Sequence, residues 1–118
     1  MVANKVNVFG TEYRIEIKNR KDDEYMVKNS LDGYCSTTEK LIVVSDMSDD
    51  MYTSEKGKQY HLKHVVRHEL LHAVFGECGL SDCANCFDGS WVNNEEMIDF
   101  VAFQFPKILE IFRQAGCL

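Results

Sequence analysis

The sequence has no apolar run approaching the roughly 18 to 20 residues that a membrane-spanning helix needs. Its first seven residues lack the basic start and apolar stretch of a secretory signal peptide. One proline and seven glycines in 118 residues exclude a collagen-like repeat and a Pro/Gly-rich disordered chain. We therefore expect a single globular domain over residues 1–118, located in the cytoplasm and without a membrane partner.

Basic side chains are scarce relative to acidic ones. Thirteen Lys and Arg oppose nineteen Asp and Glu, which gives a net charge of −6. The densest basic run, residues 18–21, is followed at once by two aspartates. Because a surface of this sign repels phosphate, we expect no nucleic-acid partner.

The five cysteines are an odd number and, without an export signal, indicate reduced thiols or metal ligands rather than a disulfide framework. Three of them lie within nine residues: Cys78, Cys83 and Cys86. These three could bind a second, structural zinc if a fourth ligand came from Cys35, Cys117 or His61. A redox-active pair and incidental loop thiols are the alternatives.

The first 45 residues predict strands. Apolar residues alternate over residues 5–17 around Gly10, which indicates a β-hairpin, and residues 34–37 and 40–45 indicate a second strand pair. A short helix is predicted between them, over residues 22–28. The run at residues 41–44 is the most strand-like in the chain because of its β-branched content.

The apolar period becomes helical after residue 53. Thr53 or Ser54 can cap a helix over residues 53–76, which is apolar around most of its second half and should end at Gly76 and Gly79. A Cys-rich loop follows over residues 77–92.

A last helix is predicted over residues 93–115, with Asn93 or Asn94 as its cap and a broad apolar stripe. Pro106 should kink or split this helix. The expected fold is α+β, with a small, mostly antiparallel sheet packed against two long helices.

The most informative residues are His68-Glu69-Leu70-Leu71-His72. Four residues are slightly more than one helical turn, so His68 and His72 project from one face and can bind one Zn²⁺ together. Glu69 points about 100° away, out of the metal's ligand shell but within reach of a metal-bound water, where a general base must be.

A catalytic zinc needs a third protein ligand, and the next helix offers acids for it. Glu95 and Asp99 are four residues apart and share a face. One carboxylate could bind the metal while the other accepts the N–H of a ligating imidazole. We expect Glu95 to be the ligand and Asp99 the second carboxylate, with Glu96 as the alternative ligand.

An HExxH motif on one helix and a glutamate on the next resemble the gluzincin metallopeptidases, and Asn94-Glu95-x-x-x-Asp99 is similar to the thermolysin-type run. This resemblance implies Glu95 as third zinc ligand and Asp99 as the partner of a histidine. The small size and the order of elements resemble the minimal ImmA/IrrE-type peptidases, which are often carried by phages and mobile elements. An alignment that places two further segments common in ImmA/IrrE-type peptidases on residues 96–98 and 100–102 would make Glu96 the ligand instead.

A peptidase also needs a second donor for the oxyanion and a surface that aligns the substrate. The candidate donors are Tyr60, His64, His61, Tyr52 and Tyr34. The family layout implies that the strand at residues 41–44 is a sheet edge to which an extended peptide could add.

The sequence therefore predicts a zinc-dependent peptidase with Glu69 as general base, acting on a protein or peptide, which in the resembling family is often a regulator. A catalytically silent zinc-containing protein-binding module is the alternative. Metal-assisted hydrolysis of a non-peptide amide would use the same residues, and the oligomeric state is left open.

Overall fold

The first part of the chain forms a four-stranded sheet. A computed structural model describes residues 1–49, 51, 54–82 and 90–118. The strands, in the spatial order β1-β2-β4-β3, are β1 (Lys5–Val8), β2 (Thr11–Lys18), β3 (Gly33–Ser36) and β4 (Leu41–Ser45). The two predicted strand pairs are confirmed, because β1 with β2 and β3 with β4 are both antiparallel.

The sheet is mixed, since β2 and β4 are parallel neighbours in which Ile15 lies beside Ile42. The prediction of a mostly antiparallel sheet did not include this pair. Parallel strands require a long connection, and here a short helix and β3 lie between the two partners along the chain. The chain is thus of the α+β class with a mixed sheet.

β4 lies inside the sheet, paired with β2 on one side and with β3 on the other. Its Ile42, Val43 and Val44 are fully buried. The prediction that residues 41–44 form a sheet edge is therefore wrong, because both sides of this strand are already paired. An uninterrupted apolar run is typical of a strand that is buried on both faces.

A short helix joins β2 to β3, as the charged segment predicted. A 3₁₀ turn at Arg20–Asp22 leads into α1 (Glu24–Asn29). The carboxylate of Asp23 caps α1 by accepting a hydrogen bond from the backbone N–H of Met26. Met26 is fully buried, so α1 is anchored at its start.

The HExxH motif lies on the longest helix, α2 (Glu55–Glu77). The hydroxyl of Ser54 caps it by accepting from the backbone N–H of Gly57, and the alternative cap Thr53 lies outside the described residues. One face of α2 packs on the sheet and contributes these side chains to the core: Leu62, Val65, Val66 and Ala73.

The C-terminal end of α2 differs from the prediction. Gly76 lies inside the helix, which continues to Glu77, and Gly79 follows with a φ of +76°. A Cβ at position 76 would lie 2.8 Å from Cγ2 of Thr37. Gly76 therefore permits a close approach between α2 and the β3–β4 turn rather than ending the helix.

The last helix, α3 (Glu95–Ala115), packs against α2. The side chain of Asn94 caps it by accepting from the backbone N–H of Met97. Ile98 and Ala102 are fully buried. Among the described helices, none has the length and apolarity required to cross a bilayer.

Pro106 does not split α3, contrary to one of the predicted outcomes. Proline has no N–H to bond to the carbonyl four residues earlier, which here belongs to Ala102. Nε of Arg67, on α2, donates a hydrogen bond of 2.6 Å to that carbonyl. A side chain of the neighbouring helix thus replaces the missing helical hydrogen bond.

Candidate metal centre

His68 and His72 lie one turn apart on α2, and their Nε2 atoms are 3.3 Å from each other. Glu95, in the first turn of α3, places one carboxylate oxygen 2.9 Å from Nε2 of His68 and the other 3.0 Å from Nε2 of His72. The structure therefore brings together the three residues that the sequence predicts as metal ligands.

The three groups fit a zinc ion. In a tetrahedral site with bonds near 2.0–2.1 Å, neighbouring ligand atoms are about 3.3 Å apart, close to the separations in this cluster. Two imidazole nitrogens and one carboxylate are also a donor set that leaves one position for a water or substrate.

Asp99 determines the tautomer of His68. Its Oδ1 lies 3.2 Å from Nδ1 of His68 and 2.7 Å from Nε2 of His64. An ionised carboxylate only accepts hydrogen bonds, so both ring nitrogens donate to it. Although burial acts to raise it, these two hydrogen bonds hold the pKa of Asp99 below its ordinary value. With Nδ1 hydrogen-bonded to Asp99, Nε2 of His68 is the ring nitrogen left to bind a metal.

The composition of the cluster suits a cation. Nε2 of His68 faces two other groups that can bind a metal, the carboxylate of Glu95 and Nε2 of His72. Burial lowers the pKa of His72, which favours the neutral imidazole that metal binding requires. A divalent cation between the three groups would satisfy all of them.

Glu69 lies beside the ligands, with its carboxylate within 4.8 Å of the ring nitrogens of His68 and His72. Its side chain is buried, with 7% of the residue exposed. Burial raises the pKa of Glu69 to about 7; the charge of Glu95 adds to this, whereas His68 opposes it. The carboxyl group can therefore bind and release a proton near neutral pH.

A cavity of about 410 Å³ opens onto the cluster between α2 and β3. His68, His72 and Glu95 form part of its wall, with Gly33 and Cys35 of β3 also lining it. A second cavity of about 310 Å³ shares Gly33, His68 and Glu69 with the first and extends toward Asp32. The two cavities form one groove along β3.

Gly33, the first residue of β3, also belongs to the site. A Cβ at this position would lie 2.8 Å from Cγ1 of Val65, 2.9 Å from the carbonyl oxygen of Val43 and 3.4 Å from Cγ of Glu69. Glycine therefore allows β3 to lie directly over the motif helix. A glycine at the start of a strand is a recognised sign of such a close backbone approach.

The candidate oxyanion donors have different surroundings. His61 and His64 both line the second cavity, where His61 Nε2 is 2.9 Å from a carboxylate oxygen of Asp32 and His64 donates to Asp99. Tyr34 lines the first cavity, but its hydroxyl donates to Asp23. Burial and this hydrogen bond raise the pKa of Tyr34 to about 12.

The structure does not bring Tyr60 to the cluster. Tyr60 is 59% exposed, and its ring packs edge-on against Phe103 with the centroids 6.3 Å apart. Tyr52 lies outside the described residues.

The cysteines are divided between the cavity and the surface. Cys35 is a half-buried thiol in the wall of the first cavity, and burial raises its pKa to about 12. Cys78 and Cys117 are exposed. Cys83 and Cys86 lie outside the described residues, so the second, structural zinc stays a prediction.

No protein-family model, curated protein or solved structure matches the chain. The resemblance to the gluzincins therefore rests on the motifs alone.

Proposed function

We propose that the chain is a zinc-dependent peptidase that cleaves a protein or peptide. The main support is that His68, His72 and Glu95 converge on one point, with the carboxylate of Glu69 buried beside them. When bound by these three residues, zinc would lower the pKa of a water toward about 7 and polarise the peptide carbonyl.

Glu69 is the general base in this proposal. In that role it would accept a proton from the attacking water and pass it to the leaving amine, from its buried position beside the two histidines. A purely structural zinc site has no use for a buried carboxylate next to its first ligand. This residue therefore favours an enzyme over a catalytically silent binding module.

The edge strand β3, rather than β4, is the surface that would align the substrate. The backbone N–H of Ser45 donates to the carbonyl of Asp32 at 2.8 Å. Hydrogen-bonded pairs alternate along an antiparallel ladder, so Gly33 and Cys35 direct their backbone groups away from β4. An extended peptide that pairs with this edge would pass directly over the motif.

We also propose that the chain is related to the minimal ImmA/IrrE-type gluzincins. The support is the run Asn94-Glu95-x-x-x-Asp99, in which Asn94 caps the helix, Glu95 meets the two histidines and Asp99 accepts from His68. A regulatory protein as substrate follows from this relationship alone.

Metal content tests the binding site. Purified wild-type protein should hold one zinc per chain, and His72→Ala should lose it. Glu95→Gln should lower zinc affinity by about 100-fold or more, whereas its neighbour Glu96→Gln serves as the matched control and should bind as the wild type does. Equal effects of the two Gln variants would contradict the assignment of Glu95.

Turnover tests the reaction. Cleavage of unfolded casein and of a fluorogenic peptide library should fall by about 10²- to 10⁴-fold in Glu69→Gln while zinc content and folding are retained. A variant that cleaves as fast as the wild type would show that Glu69 is not the base. Wild-type protein that binds zinc but cleaves none of these substrates would favour the binding module.

A further inference from the structure

The apolar stripe of α3 continues past the part that the other described residues cover. Ile98 is fully buried, and at helical spacing the stripe goes on through Phe105, Ile108, Leu109 and Phe112. Phe105 and Phe112 are 47% and 44% exposed, and the two stripe residues between them, Ile108 and Leu109, are half-buried. Within the described residues, this end of α3 presents apolar side chains to solvent, as interaction surfaces do.

The apolar positions in the exposed half of the stripe, residues 105, 108, 109 and 112, are arranged symmetrically about their midpoint. About the midpoint between Ile108 and Leu109, each of these residues mirrors the other and Phe105 mirrors Phe112. Two antiparallel helices related by a two-fold axis through that midpoint place every residue against its mirror position in the other copy. The resulting contact is apolar along its whole length.

The charged side chains of this segment do not enter the contact between two copies. Lys107 and Glu110 project about 150° away from the middle of the stripe, at 100° per residue, so association buries neither of them. Helices that bind membranes are rich in Lys and Arg on their polar face, whereas this chain carries a net charge of −6.

An apolar cavity lies beside Phe105, which Phe112 of the second copy contacts in this arrangement. It has a volume of about 180 Å³, lies between α2 and α3, and its walls include Leu71, Val74, Val101 and Phe105. An apolar cavity of about 150 Å³ is large enough to hold benzene. Because Phe112 of the second copy lies against Phe105, its ring is at the mouth of this cavity.

We propose that the chain forms a two-fold homodimer through residues 105–112 of α3, with Phe112 of each copy inserted between α2 and α3 of the other. Such a contact, between one short helical face of each copy, buries less than the roughly 1,000 Å² that a stable specific interface exceeds, so we expect a weak, transient association. Its nearest residue is about 15 Å along α3 from Glu95, so the metal cluster stays accessible. The dimer does not depend on the proposed peptidase activity.

Sedimentation of the full chain from low to high micromolar concentration tests the dimer. Wild-type protein should show a monomer–dimer equilibrium, and Phe112→Ala should raise its dissociation constant about tenfold or more. The matched control is Phe100→Ala, which removes another exposed phenylalanine of α3 and should change the constant by less than about twofold. A wild-type chain that stays monomeric, or equal effects of the two variants, would overturn the proposal.

A mixing experiment tests the insertion itself. Val101→Phe fills the cavity and should weaken association as Phe112→Ala does, with circular dichroism showing that both variants are folded. Mixed together, one copy supplies Phe112 and the other an open cavity, so the mixture should associate more tightly than either variant alone. No gain on mixing would refute the insertion. Monomeric wild-type protein that binds phosphatidylglycerol vesicles through Phe112 would assign the surface to membranes instead.

Discussion

The hydrogen bond from Arg67 to the carbonyl of Ala102 should contribute measurably to the stability of the fold. Arg67→Met keeps most of the apolar stem and removes the donor, leaving a carbonyl that Pro106 cannot satisfy. Hydrogen bonds from charged groups contribute about 1.5–3 kcal/mol, so we expect a loss of about 2 kcal/mol. For a domain of this size, that loss lowers Tm by about 8 °C.

The stability cost of Arg67→Met should depend on Pro106. In Pro106→Ala the backbone N–H at position 106 can bond to Ala102 within the helix, so the carbonyl no longer requires Arg67. Arg67→Met should then cost only about 1 kcal/mol in this background, which is a coupling energy of about 1 kcal/mol. Urea-induced unfolding of the four proteins, followed by circular dichroism, measures this energy.

Arg113→Met is the control, since Arg113 is exposed and should change stability by less than about 0.5 kcal/mol. Costs of Arg67→Met and Pro106→Ala that add to within about 0.3 kcal/mol would show that Arg67 does not replace the helical hydrogen bond.

Three further predictions concern Gly33, Glu77 and Asp99. Gly33→Ala should cost about 1–3 kcal/mol in urea unfolding, because its Cβ would lie 2.9 Å from the backbone carbonyl of Val43 and a shift of β3 is the only relief. Hydrogen bonds, chiefly from Lys40, lower the pKa of Glu77 below its ordinary 4.5, so its stabilisation is present above that pH and lost as the pH falls through the lower folded value. Glu77→Gln should therefore lower Tm at pH 7 and match the wild type in strong acid; an equal deficit at both pH values would contradict this. Asp99→Asn should weaken zinc binding about 10- to 100-fold in a chelator competition without unfolding the chain, and unchanged affinity would show that the tautomer of His68 does not depend on it.

The elements that could be predicted are those with local signals. The alternation around Gly10 predicted the first hairpin, and the change of period together with Ser54 and Asn94 predicted where α2 and α3 begin. The parallel pairing of β2 with β4 has no local signal. It depends on which strand of the second hairpin, β3 or β4, lies beside β2. The buried run Ile42–Val43–Val44 was available as a sign of a central strand, and it outweighs the layout of a resembling family.

At the candidate site, helical periodicity predicted the shared face of His68 and His72, and Glu95 was expected as the third ligand with Glu96 as the alternative. Glu95 and Glu96 lie four and three residues before Asp99, so both share its face of α3. Only the packing of α3 on α2 determines which carboxylate reaches the histidines, and it brings Glu95 to them. The role of Gly33 has the same origin, since its contacts come from elements distant in sequence.

The position of Glu95 connects the stability of the helix pair to the chemistry of the site. Its side chain is 68% exposed, so its own packing does little to hold the carboxylate beside His68 and His72. The burial of Ile98 and the bond from Arg67 position it instead. Both histidines belong to α2, so a weaker packing of α3 on α2 would displace the carboxylate that we propose as the third ligand while the two imidazoles stay in place. Arg67→Met should therefore reduce zinc affinity even under conditions where the chain stays folded.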